Sequence, residues 1–61
     1  MTTADFARFL QIAVGSASEL EYHLILARDL SFLSIEDYER LASSTIETKR
    51  MLASLIQKVK E

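Results

Sequence analysis

An all-α fold, an antiparallel two-helix hairpin that self-associates into a four-helix bundle, follows from three observations. The 61-residue chain has no proline, and its single glycine, Gly15, sits inside a run of helix-favouring residues. Apolar residues recur at steps of three and four along two long stretches, the spacing of one face of a helix. The chain is 49% hydrophobic, with no cysteine and one histidine. That composition excludes disulfides and argues against a dedicated metal site. Oligomerisation is then the route by which so short a chain reaches a sufficient core.

The elements follow in order. Thr2 with Asp5 three residues later has the spacing of a capping box and predicts a helix over about 3–30. The segment "LSFLS" breaks the periodicity and predicts a turn over about 31–34. Ser34 is a suitable N-cap, with Asp37 at the third helical position and Glu36 beside it. Leu33 and Tyr38 have the spacing of a hydrophobic staple. A second helix over about 35–59 follows. A connection this short sets the two helices antiparallel, and residues 1–61 form a single unit without linker or repeat.

The periodicity of the second helix places Tyr38, Leu41, Thr45, Thr48, Leu52, Leu55 and Val59 on one face. In the first helix Phe6, Phe9, Leu10, Ala13, Ala17, Leu20, Leu24 and Ala27 share a broad face. The expected hairpin core is therefore Phe6, Phe9, Ala13, Leu20, Leu24, Leu41, Leu52, Leu55 and Val59. Ile12, Gly15, Tyr22, Leu26 and Leu30 form a second apolar face of the first helix, which a hairpin alone leaves uncovered. They are the expected oligomer interface. A helical glycine costs about 1 kcal/mol relative to alanine, and close approach of a partner at Gly15 would offset that cost.

Charge and motif narrow the function. A net charge of −2 offers no general attraction to nucleic acid or acidic membranes. No stretch is long and apolar enough to span a bilayer, and the N-terminus lacks the pattern of a secretory signal. A cytoplasmic, soluble protein is expected. Glu19 and His23 are neighbours at i and i+4, a spacing that fits a surface or interface ion pair better than a metal site. No nucleophile, base and orienting acid can be assembled around one histidine, and there is no phosphate-binding glycine loop. The chain is expected to be no enzyme and to carry no cofactor. Lys49, Arg50, Lys58 and Lys60 gather in the latter half of the second helix, with Glu36, Asp37 and Glu39 at its start. This complements the helix dipole. Residues 34–61 hold five acids and five bases, so the balance argues against nucleic acid as a partner.

Residues 6–30, "FARFLQIAVGSASELEYHLILARDL", resemble the third helix of the bacterial four-helix bundle proteins known as 23S ribosomal RNA intervening-sequence proteins. Phe6, Phe9, Leu10, Ile12, Ala13, Gly15, Ser16, Glu19, Leu20, Leu24, Ala27 and Leu30 carry the likeness. "RMLASLIQKVK" is similar to the fourth helix, through Met51, Leu52, Leu55 and Ile56. Members of that family usually carry two earlier helices with a Ser-Ile…Asn-Ile-Ala-Glu-Gly segment, so the resemblance implies the C-terminal half of such a bundle. It also implies a helical assembly module that can form ring-like oligomers, and the core that a lone hairpin lacks makes a homodimer of hairpins the expected minimum. A related branch, the accessory proteins of diversity-generating retroelements, implies the alternative of a nucleic-acid-associated factor.

Overall fold

A computed structural model describes residues 1–60. Two α-helices, α1 (Thr3–Asp29) and α2 (Ile35–Lys60), pack side by side as a hairpin. The hairpin is a rod of 43 × 14 × 12 Å, with a radius of gyration of 14.1 Å. A compact domain of this length has a radius of gyration of about 10.5 Å. The elongation means that each helix has one neighbour and two uncovered flanks.

Both helix starts are capped by their own side chains. Thr2 sits in extended geometry (φ −85°, ψ 167°) and its Oγ1 accepts the Asp5 N–H at 3.1 Å. The Asp5 carboxylate accepts the Thr2 N–H at 3.3 Å, which closes a reciprocal capping box. At α2 the Ser34 hydroxyl accepts the Asp37 N–H at 3.0 Å. Here the reciprocal bond is replaced, because the Asp37 carboxylate turns to Arg40 at 3.0 Å.

α1 ends in a Schellman motif. The Ser31 N–H donates to the Arg28 carbonyl at 3.0 Å and the Phe32 N–H to the Ala27 carbonyl at 2.8 Å. The motif needs a left-handed residue between them. Ser31 supplies it at φ 65°, the one such backbone among the described non-glycine residues. Past the turn, the Arg28 guanidinium lies over the Tyr38 ring, 4.5 Å from its centroid. Arg28 also hydrogen-bonds the Asp29 carboxylate at 3.0 Å. One arginine thus ties the last turn of α1 to the first turn of α2.

The seam between the helices follows alternate steps of three and four on each. On α1 it runs through Ala7, Leu10, Val14, Ala17, Glu21, Leu24 and Arg28, all buried or half-buried. On α2 it runs through Tyr38, Ala42, Thr45, Lys49, Leu52, Ile56 and Val59, again all buried or half-buried. A sustained alternation of this kind is the pattern of a left-handed coiled coil. Leu10 and Leu24 are the best covered side chains of size, at 4% and 8% exposure. Thr45 is buried, and its hydroxyl donates to the Leu41 carbonyl at 2.8 Å, so burial leaves no polar atom unpaired.

At the middle of the seam, Lys49 Nζ meets Glu21 Oε1 at 2.6 Å, with about a third of each side chain exposed. Such a pair adds little net stability once desolvation is counted. It does penalise misalignment, since a slip by one turn would set each charge against apolar side chains.

The observed seam corrects the expected core. Phe9 (61% exposed), Leu20 (48%), Leu41 (40%) and Leu55 (40%) lie outside the contact between the helices. Leu24 is buried; Phe6, Ala13, Leu52 and Val59 are half-buried. The physical reason is direction. Phe9, Leu20, Leu41 and Leu55 each stand one position before a seam residue, Leu10, Glu21, Ala42 and Ile56, and so point about 100° around the helix from it. One neighbour covers the seam and leaves these side chains on a flank.

Two predictions concern the helix ends, both read from denaturant melts at fixed chain concentration. Ser31→Gly relieves the left-handed serine and stabilises the hairpin by roughly 0.5–1 kcal/mol; an unchanged melt would show that the backbone there carries no cost. Ser34→Ala removes the cap of α2 and destabilises by about 1 kcal/mol.

Candidate interaction surface

The residues displaced from the seam are not scattered. Each helix has a second stripe beside the first. On α1 it contains Phe6, Phe9, Ala13, Ser16, Leu20, His23 and Ala27. On α2 it contains Leu41, Ser44, Thr48, Met51 and Leu55. The two stripes open on the same side of the hairpin, because Leu20 of α1 lines one groove together with Leu41, Ser44 and Thr48 of α2. A separate groove farther along α2 is lined by Arg50, Met51, Ser54, Leu55 and Lys58. The two stripes together make a lateral, largely apolar face built from both helices.

Its hydroxyls are largely self-contained. The Thr48 hydroxyl donates to the Ser44 carbonyl at 3.0 Å. Asp37 stands at the turn end of the α2 stripe and Lys58 at the other, and Arg50 borders it beside Met51.

The five residues expected from sequence at an oligomer interface lie elsewhere. Ile12, Gly15, Tyr22, Leu26 and Leu30 are all exposed on the side of α1 away from α2. A Cβ added at Gly15 would meet nothing within 4 Å. The hairpin by itself therefore gives Gly15 no close neighbour. Tyr22 stacks obliquely on the adjacent His23, with ring centroids 5.9 Å apart. The structure thus presents two apolar surfaces, a lateral face shared by both helices and a back strip on α1 alone.

Sequence reasoning found both apolar surfaces and gave the lateral one to the wrong contact. It missed the seam roles of Glu21, Lys49 and Arg28. The signal was present, since those three complete the three-and-four spacing of the small residues around them. It was overshadowed because polar residues were read as solvent-facing.

Among the described residues, no three of histidine, cysteine, aspartate or glutamate come together as a metal would need. No helix among the described residues is long and apolar enough to cross a membrane. The grooves are shallow and open, and none encloses a constellation of nucleophile and base.

No curated protein and no solved structure matches the chain. The family model for the 23S rRNA-intervening sequence protein matches residues 1–54, the greater part of both helices and the whole of the turn between them. On that match the chain, a two-helix hairpin, belongs to the 23S rRNA-intervening sequence protein family.

Proposed function

We propose that this chain is a non-enzymatic helical assembly module, and that its lateral face binds a second copy to complete a four-helix bundle. The observation that carries this reading is the contiguous apolar face of Phe9, Leu20, Leu41 and Leu55 on one side of both helices.

Two quantities support it. The hairpin has an accessible surface of 4819 Å². A compact monomer of 6.9 kDa has about 4000 Å². The difference, about 800 Å², is what each partner contributes to a stable interface of standard size. The second is direction. On a helical wheel, the lateral stripe of each helix points roughly 90° away from the seam with its hairpin partner, both toward the same side. In a square array of four helices, the second neighbour of each helix lies about 90° from the first.

The back strip of Ile12, Gly15, Tyr22, Leu26 and Leu30 remains outside this bundle. We assign it to contacts between bundles in a larger ring, with a glycine where two helices approach. The acidic balance favours this reading over a nucleic-acid accessory role.

Sedimentation equilibrium tests the assembly. The parent chain sediments as a dimer or larger at micromolar concentration; a stable monomer at tens of micromolar overturns the proposal. Leu20→Glu buries an unpaired charge in the bundle but leaves it in solvent on the hairpin. It weakens dimerisation at least about 100-fold. Gly15→Leu keeps the dimer and its helicity but removes larger species. A variant that still forms them would show that Gly15 is an ordinary surface glycine.

A further inference from the structure

We infer that the second copy docks about a twofold axis running across the helices at the height of Ser16 and Thr48, so that the two turns lie at opposite ends of the bundle and each helix packs antiparallel against its own counterpart. This orientation rests on the assembly reading above and deepens it.

The argument begins with height. The helices run antiparallel, Leu20 shares a groove with Ser44, and Arg28 lies over Tyr38. Ser16 and Thr48 are therefore level with each other along the rod. A symmetric dimer about a crossing axis must be self-complementary around one level on both helices at once, since a single axis serves both.

The lateral stripes meet that condition. Stepping three and four residues to either side of Ser16 on α1 reaches Ala13 and Leu20, then Phe9 and His23, and further out Phe6 and Ala27. Antiparallel packing of α1 on its copy sets Ala13 against Leu20, the Phe9 ring against the His23 ring and Phe6 against Ala27, with Ser16 against itself at the centre. The same steps from Thr48 on α2 reach Ser44 and Met51, then Leu41 and Leu55. Small meets large in the inner pair and leucine meets leucine in the outer pair. Alternation of large and small across facing positions lets layers interdigitate.

Charge decides between this axis and its rival. At the ends of the α2 stripe stand Asp37 and Lys58. About the crossing axis, Asp37 of one copy faces Lys58 of the other, and the pairing occurs twice. The rival axis runs along the bundle, keeps both turns at one end and packs α1 on α2 of the copy. It places Asp37 against Ala27 and Lys58 against Phe6, so neither charge finds an opposite partner. In the hairpin Asp37 has only the exposed Arg40 as an ion-pair partner, at 3.0 Å. Opposite charges across an interface fix register and orientation.

Cross-linking distinguishes the axes, and the absence of native cysteine makes it clean. A disulfide forms only where the Cα atoms lie within about 4.4–6.8 Å. Under mild oxidation the Thr48→Cys variant alone gives a covalent dimer, at least about tenfold faster than a Gln57→Cys control on the outer surface. The rival axis puts the two copies of position 48 diagonally across the core. There Thr48→Cys alone matches the control, and only a mixture with Ser16→Cys cross-links, an outcome that overturns the proposed orientation while leaving the dimer intact. Sedimentation of the reduced Thr48→Cys variant reports the dimer separately. A monomer there, for both variant and parent, overturns the assembly reading and the orientation with it.

Discussion

A helix that has one neighbour can bury one stripe, and the rest of this molecule follows from that limit. α1 and α2 each carry more apolar surface than a single stripe, yet each has only the other to pack against. Among the described residues four are buried, Ala7, Leu10, Leu24 and Thr45, and none is enclosed on all sides. The seam takes one stripe of each helix, large and small residues together. Phe9, Leu20, Leu41 and Leu55, one step around each helix, are left on the flank, where they form a surface instead of a core. The hairpin is thus half of a packing problem whose other half must come from outside the chain.

The seam itself is held by position more than by mass of contact. Its middle carries an ion pair, Glu21 with Lys49, flanked by layers of alanine, valine and leucine. Its turn end carries a stacked arginine, two backbone bonds of the Schellman motif and a serine cap. These features contribute modest free energy, about 1 kcal/mol each at most. Together they define which residues of α2 face which residues of α1. The lateral face inherits its continuity from that alignment, since Leu20 and Leu41 share a groove only in this register.

Much of this was legible in the residues before the fold was known. Both helices, the capping box at Thr2 and the cap at Ser34 follow from local chemistry, and local chemistry acts the same way in any context. The direction of the seam was not legible. Periodicity sums the pull of every neighbour a helix has in its final assembly, so the apolar stripe points between neighbours and not at one of them. Reading Phe9, Leu20, Leu41 and Leu55 as the hairpin contact took that sum for a single partner. Ser31 shows a different limit. The left-handed position closing α1 is usually glycine, and here the chain's one glycine lies elsewhere, in mid-helix. Nothing in the local sequence marked serine for that conformation.

The concentration of fastenings at the turn gives the rod a graded rather than uniform firmness. At the closed end, Arg28 over Tyr38, the Schellman bonds and the Ser34 cap all act within a few residues of one another. At the open end the helices meet through Ala7 and the half-buried Val59, and among the described residues no ion pair or stacked ring joins them there. Opening therefore travels from the free end toward the turn, like a zipper with its slider fixed at one side. Backbone amides near Ala7 and Val59, at the open end, are then the ones that shallow fluctuations would expose, whereas those near Leu24 and Thr45 would wait for deeper ones. Under mechanical load the two ends of the molecule would part before the turn yields, so the hairpin behaves as a hinge that remains joined while its arms spread.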